Sequence, residues 1–212
     1  MIEYEGYMYP DGDLHTARSI LNEWIRKGQN IIDLVPRKRV CVQAGANAGL
    51  FPIRLAKSFE QVITFEPIPH IYECAVHNIA NRGSKNIKLY QMGLGQEATT
   101  ASVYFENEHN SGATSLTQND EGEIELIALD NLFLEHCDLI WLDIEGFEVD
   151  ALIGAANTIR AYNPIIVLEN KGLIPGMGGD LNGSEELRDW MKAVFDYEYV
   201  GRMMRDDIFR KA

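Results

Sequence analysis

The stretch RVCVQAGANAGLF, residues 39–51, decides how this chain folds. Val40–Ala44 is a largely apolar run without alternation, which is typical of a strand that is covered on both faces. The small residues from Gly45 to Gly49 then allow a sharp turn and the close approach of a ligand. Because a helix is expected over residues 48–57, the stretch predicts a strand, a glycine-rich turn and a helix in succession.

Strand-like and helix-like segments continue to alternate along the rest of the chain. Strands are expected over residues 40–44, 61–65, 86–91, 138–143 and 164–169, and helices over 48–57, 70–81, 146–162 and 184–193. Alternation of this kind implies a parallel sheet with helices on both faces, so the predicted fold class is α/β. Two further strands, over residues 101–106 and 123–129, interrupt the pattern.

The predicted domain organisation is a short N-terminal extension followed by one domain. Residues 1–37 are assigned to an N-terminal arm and helix, and residues 38–212 to the domain. The extension has an irregular start and an apolar helical stripe over residues 13–27, which Gly28 would end. This helix either packs across the edge of the sheet or covers the ligand cleft.

Composition restricts the class of partner. The chain has 212 residues and a formal net charge of -13, which argues against binding to nucleic acid phosphates or to an anionic membrane. Three widely spaced cysteines, without a Cys/His cluster, predict buried thiols and no zinc site. No segment is apolar enough to span a bilayer, so we expect a cytoplasmic protein, and nothing in the sequence indicates an oligomeric state.

The glycine-rich turn and an acid on the second strand together suggest a nucleoside site. The spacing of the turn is G-x-N-x-G, with Asn47 at a position where the left-handed conformation is tolerable. Glu66 lies 21 residues after Gly45, at the end of the second strand, and Pro67 stops that strand. An acid there can accept hydrogen bonds from both hydroxyls of a ribose. A plain tight turn followed by an exposed acid would have the same sequence, so this alternative stays open.

Acidic residues also follow the later strands. Asp143 and Glu145 follow a strand of Leu, Ile and Trp, and three interpretations stay open for them. They can bind a substrate or act as a general base, they can hold a divalent metal ion, or they can cap the next helix. Glu169 ends the next strand and flanks the same cleft, while His109, in a long loop, is either a base or a solvated side chain.

These motifs resemble the FkbM-type methyltransferase family. The resemblance rests on GANAG at 45–49, FEP at 65–67, Asn78, IWLDIEGFE at 140–148 and the strand over 164–169. It implies the Rossmann-like class I methyltransferase fold with a mostly parallel seven-stranded sheet. It also implies an enzyme that transfers a methyl group from S-adenosylmethionine to a sugar or small-molecule hydroxyl. A divalent metal ion is the lesser of the two functional interpretations of the acidic residues.

The resemblance assigns the cofactor site. Gly45, Asn47 and Gly49 would carry the turn at the methionine side, with Ala46 between them, and Glu66 followed by Pro67 would hold the ribose. Long loops over residues 107–122 and 170–183 would then border the methyl acceptor.

The sequence departs from the family pattern at two positions. Gln43 stands where the family usually has Asp, so restoring Asp there is expected to preserve or strengthen cofactor binding. Leu142 stands near a usual Lys, so a role for that Lys does not transfer. Two alternatives therefore stay open, a non-catalytic S-adenosylmethionine-binding module and a nicotinamide-dependent oxidoreductase, although the latter would need G-x-G-x-x-G.

Overall fold

The computed structural model describes residues 1–13, 25–105, 115–119, 121–169, 185–203 and 205–212. The strands in these residues are β1 (Ile2–Tyr4), β2 (Tyr7–Tyr9), β3 (Val40–Ala44), β4 (Gln61–Phe65), β5 (Ile87–Tyr90), β6 (Gly93–Leu94), β7 (Thr99–Phe105), β8 (Ser115–Gln118), β9 (Ile124–Ile127), β10 (Leu139–Leu142), β11 (Ile165–Glu169), β12 (Tyr197–Met203) and β13 (Asp206–Lys211). The helices are α1 (Ile25–Leu34), α2 (Leu50–Leu55), α3 (Pro69–Asn81), α4 (Glu148–Ile153), α5 (Ala156–Tyr162) and α6 (Glu185–Phe195), and Leu129–Leu132 forms a 3-10 helix.

A seven-stranded sheet in the order β12-β13-β11-β10-β3-β4-β5 forms the centre of the fold. The strands from β11 to β5 pair in parallel, whereas β12 and β13 form an antiparallel hairpin at one edge. Apolar clusters cover both faces of this sheet, one containing Ile140 and Leu152, the other containing Trp141 and Ile31. The predicted α/β class, with a mostly parallel seven-stranded sheet and helices on both faces, is confirmed.

The strand order places a crevice between β3 and β10. The chain runs outward from β3 to β5 on one side, and then returns to form β10 and β11 on the other side. In open α/β sheets, ligands bind at such a reversal, beyond the carboxyl ends of the strands. The residues that follow β3, β4, β10 and β11 therefore define the candidate site.

The N-terminal segment differs from the predicted irregular arm. Strands β1 and β2 pair as a hairpin whose turn places Glu5 and Gly6 at φ of 50° and 75°. Both central residues of a type I′ turn need positive φ, and Glu is unusual at such a position. The sequence Glu5-Gly6 therefore did not predict the turn. Helix α1 also continues through Gly28, which was expected to end it. The glycine allows the helix to pack closely on Phe51, since an added Cβ would lie 3.2 Å from that ring. Residues 14–24 of the stripe that was predicted over residues 13–27 lie outside the described residues.

The helix that was expected over residues 146–162 is two helices. An added Cβ at Gly154 would lie 2.1 Å from the Gly95 carbonyl oxygen, so the chain touches another backbone at this point. The Asp130 carboxylate then accepts hydrogen bonds from the Asn157 and Thr158 N–H groups, both 2.8 Å, and caps the start of α5. The break therefore depends on contacts with distant residues.

Several other strands, including the two-residue β6, were not expected from the sequence. Ser115–Gln118, within the predicted loop over residues 107–122, pairs with β7 in a four-stranded sheet of order β6-β9-β7-β8. The hairpin of β12 and β13 extends the main sheet beyond β11. The predicted loop over residues 170–183 lies outside the described residues. None of the described helices has the length and apolar character that crossing a membrane requires.

Candidate functional site

The glycine loop, residues 45–49, joins β3 to α2 and is tied to the end of β4. The Gly45 and Ala46 N–H groups both donate to the Phe65 carbonyl oxygen, at 3.1 and 2.9 Å. Asn47 has φ of 48° and Gly49 has φ of 84°, so both adopt the left-handed conformation. The loop thus has a fixed shape, and the missing side chain at Gly45 leaves room for the Asp143 carbonyl oxygen beside it.

Glu66 lies directly after β4 and is almost fully buried. One carboxylate oxygen accepts from the Asn47 N–H at 2.8 Å, and the other accepts from the Ile68 N–H at 3.1 Å, across Pro67. Each carboxylate oxygen carries two lone pairs, so each can accept a further hydrogen bond. Burial raises the pKa of Glu66 to about 7, and the two backbone hydrogen bonds oppose that rise.

Gln43 is the buried side chain at the end of β3. Its amide nitrogen donates to the Ala44 and Gly45 carbonyl oxygens, at 3.0 and 2.9 Å, and its amide oxygen accepts from the Thr64 hydroxyl. These bonds place Gln43 beneath the glycine loop as a support. A carboxylate at this position would face two carbonyl oxygens without a hydrogen to donate.

Gln43→Asp is therefore expected to destabilise the protein, an effect that the sequence-based expectation for cofactor binding did not include. Two carbonyl oxygens lose their donor, and an unsatisfied buried group costs about 1–3 kcal/mol. Urea denaturation would measure the free energy of unfolding, with Gln91→Asp, at an exposed position, as the control. If Gln43→Asp is as stable as the wild type and binds S-adenosylhomocysteine more tightly, the support role is wrong.

Three carboxylates form an acidic cluster on the β10 side of the crevice. Oxygens of Asp143, Glu145 and Glu169 all lie within 4.8 Å of one another. Asp143 is tied to the end of β3, because its N–H donates to the Ala44 carbonyl oxygen at 3.1 Å, and its own carbonyl oxygen lies beside Gly45. The donor set suits a hard divalent cation as well as a hydroxyl-bearing substrate.

Glu148 shapes the turn that carries this cluster. Its carboxylate accepts from the Ile144 and Gly146 N–H groups, at 3.1 and 3.0 Å. Between them Glu145 adopts φ of 52°, a left-handed conformation that is uncommon for Glu. Burial, together with the charges of Glu169 and Glu145, raises the pKa of Glu148 to about 7, and the backbone hydrogen bonds oppose that rise. Helix α4 begins at Glu148 rather than at the predicted Gly146. The residues before it form a turn in which the Glu148 carboxylate accepts the hydrogen bonds of the Ile144 and Gly146 N–H groups.

The structure brings most of the predicted site residues to one edge of the sheet. The cofactor residues surround the turn between β3 and α2 and the end of β4, and Asp143, Glu145 and Glu169 follow β10 and β11. His109 lies outside the described residues. The β12–β13 hairpin, which was not expected from the sequence, places the buried residue Asp206 in register with Glu169. The three cysteines are free and buried, as the sequence predicts.

Comparison with known proteins gives one family and several structures of the same fold. A match to the Methyltransferase FkbM domain covers residues 43–200. Methyltransferase sdnD of Sordaria araneosa is 28% identical over 57% of this chain and 61% of its own length.

Two solved structures with low sequence identity share the fold. A methyltransferase FkbM from Methylobacillus flagellatus KT has a TM-score of 0.58 and 19% identity, over 82% of this chain and 43% of that protein. The ribosomal protein L11 methylase from Lactobacillus delbrueckii subsp. bulgaricus has a TM-score of 0.52 and 13% identity, over 88% and 77%. The chain thus spans less than two thirds of the length of sdnD and of the Methylobacillus protein. Because the family match includes the glycine loop, Glu66 and the acidic cluster, the chain belongs to the FkbM methyltransferase domain family.

Proposed function

We propose that this domain transfers a methyl group from S-adenosylmethionine to a hydroxyl group of a sugar or another small molecule. The observation that supports this most strongly is the contact between the two halves of the site. Asp143 lies directly against Gly45, so the predicted acceptor side adjoins the glycine loop. Methyl transfer needs donor and acceptor side by side, and proximity with correct orientation can lower a reaction barrier by about 7–11 kcal/mol.

The residues at the crevice fit the methyl donor. Glu66 can accept hydrogen bonds from the two ribose hydroxyls while it keeps its bonds to the Asn47 and Ile68 N–H groups. The methionine part would lie against the small residues of the glycine loop, whose missing side chain at Gly45 lets the Asp143 carbonyl oxygen lie directly beside the loop. When it is bound there, S-adenosylmethionine supplies a methyl group on a cationic sulfur.

The acidic cluster fits a neutral hydroxyl-bearing acceptor. Its carboxylates can accept hydrogen bonds from acceptor hydroxyls, and Asp143 can take the hydroxyl proton as the oxygen gains the methyl group. Three carboxylates within 4.8 Å of one another disfavour a phosphorylated acceptor. Together with the net charge of -13, this supports a small neutral acceptor over nucleic acid.

Ligand-induced stabilisation tests the proposal against its two alternatives. S-adenosylhomocysteine at about 100 times its Kd should stabilise the fold by about 2.7 kcal/mol, and NAD should have no effect. Stabilisation by NAD alone would indicate the oxidoreductase. Stabilisation by S-adenosylhomocysteine, with no methyl transfer from S-adenosylmethionine to any of a panel of neutral polyols, would indicate a non-catalytic module.

The ribose role of Glu66 predicts that binding depends on pH. Ribose hydroxyls donate to the charged carboxylate, whose pKa is about 7 in the free protein, so affinity for S-adenosylhomocysteine should fall as pH drops below 7. In the free protein the raised pKa acts oppositely on stability, which should decline as pH rises from about 4.5 to about 7. Calorimetric titrations between pH 6 and pH 8 would measure the change in affinity.

Glu66→Gln should remove this pH dependence and cost about 1.5–3 kcal/mol of binding, the range for hydrogen bonds to charged groups. Glu148→Gln is the matched control, because that buried glutamate also has a pKa of about 7 and accepts two backbone hydrogen bonds. The control should keep the pH dependence of binding. Unchanged affinity in Glu66→Gln would contradict the ribose role.

A further inference from the structure

The N-terminal hairpin of β1 and β2 packs against α3. The Arg82 guanidinium lies 4.0 Å from the centre of the Tyr7 ring and donates to the Gly6 carbonyl oxygen at 3.1 Å. Tyr9 is fully buried in an apolar cluster that includes Ala48, at the end of the glycine loop, and Leu50, in α2. The hairpin therefore covers one side of the glycine loop.

Asn78, on α3, contacts the hairpin and the glycine loop at the same time. Its side chain is buried, and its amide oxygen accepts from the Met8 N–H at 2.7 Å. Its amide nitrogen donates to the Met8 and Ala48 carbonyl oxygens, both at 2.7 Å. The Asn78 amide thus pairs with both the N–H and the carbonyl of Met8, as a neighbouring strand would. Its other N–H donates to the glycine loop at Ala48.

Ala48 is held from both sides, which makes this contact important for the shape of the loop. Its N–H donates to the Asn47 side chain at 2.7 Å, and its carbonyl oxygen accepts from Asn78. At the next residue, an added Cβ on Gly49 would lie 3.1 Å from the Ala75 Cα, so α3 packs directly on the loop. Loss of the Asn78 bond would leave the Ala48 carbonyl oxygen without this donor.

We propose that Asn78 is a positioning residue that couples the N-terminal hairpin to the cofactor site, so that docking of the hairpin and binding of the methyl donor favour each other. The inference rests on the proposed function, since it assigns the glycine loop to the donor. Coupling between sites is reciprocal, so the bound ligand should stabilise the hairpin as much as the hairpin stabilises the bound ligand.

The test combines amide hydrogen exchange with calorimetry on the full chain. In the wild type, S-adenosylhomocysteine should slow exchange over residues 2–9 as well as over residues 45–50. Asn78→Ala should bind S-adenosylhomocysteine about tenfold more weakly, within the range typical of coupled sites, and should lose the slowing over residues 2–9 even at saturation. Asn81→Ala is the control, because Asn81 is exposed on the same helix and bonds to His77.

A second variant keeps the proposal testable if Asn78→Ala does not fold. Arg82 contacts the hairpin at Gly6 and Tyr7. Arg82→Ala should speed exchange over residues 2–9 and also weaken binding of S-adenosylhomocysteine. A loosened hairpin with unchanged affinity, or ligand binding that leaves hairpin exchange unchanged in the wild type, would overturn the coupling.

The outcomes separate this inference from the proposed function. If the wild type does not bind S-adenosylhomocysteine, the proposed function fails, and the free protein then tests the coupling. Faster exchange over residues 45–50 in Asn78→Ala, but not in Asn81→Ala, would support the link between hairpin and loop. Faster exchange confined to residues 2–9 would overturn it.

Discussion

Gly45→Ala is expected to abolish measurable S-adenosylhomocysteine binding and to lower the free energy of unfolding by about 2–5 kcal/mol. Gly45 has φ of 85°, and an added Cβ would lie 2.0 Å from the Asp143 carbonyl oxygen. That atom belongs to the backbone and cannot rotate away. The strand ends must therefore separate, and both the glycine loop and Asp143 would move.

Gly83→Ala is the matched control for this substitution. Gly83 also has a positive φ, 65°, but no atom lies within 4 Å of the added Cβ. It should show only the strain of the left-handed conformation, about 1–2 kcal/mol, and should keep its affinity for S-adenosylhomocysteine. The difference between the two variants in urea denaturation and calorimetry isolates the contact with Asp143. Equal stability and equal affinity in the two variants would mean that the junction is not tightly packed.

Asp143→Asn is expected to lower turnover by ~10²-fold or more, while affinity for S-adenosylhomocysteine stays close to that of the wild type. The substitution keeps the shape of the side chain but removes its charge and its ability to take the hydroxyl proton. Asp143 follows a buried strand and its N–H is bonded to Ala44, so its backbone is a rigid platform. Turnover on an acceptor confirmed with the wild type would measure the loss.

Two controls define the role of Asp143. Asp189→Asn, at an exposed position on α6, should leave turnover unchanged. If a chelator abolishes wild-type activity and added Mg²⁺ restores it, the acidic cluster binds a metal ion and Asp143 is a ligand rather than a base. Full turnover in Asp143→Asn would refute the catalytic assignment.

Sequence patterns predicted the strands of the sheet centre because their cause is local. The observed bounds of β3 and β4 match the predicted ones, since an apolar run leads into a glycine turn in one case and into Glu66 and Pro67 in the other. The break at Gly154 could not be predicted in this way. It depends on the backbone of Gly95 and on the carboxylate of Asp130, which are distant in sequence.

The candidate site shows the same division between local and distant causes. Glu66 and Asp143 could be singled out because each follows a strand at the edge where ligands bind in α/β sheets. The direction of a side chain is set by its neighbours in the fold, so the support role of Gln43 and the bridging role of Asn78 cannot be predicted from local sequence. The resemblance marked the position of Asn78 but did not give its contacts.

The most direct test of this account is a crystal structure of the chain with S-adenosylhomocysteine. We predict that both ribose hydroxyls lie within about 3 Å of the Glu66 carboxylate oxygens, the usual distance for such hydrogen bonds. We also predict that the sulfur lies on the side of the glycine loop that faces Asp143. A ligand bound elsewhere, or a sulfur directed away from Asp143, would contradict the central claim.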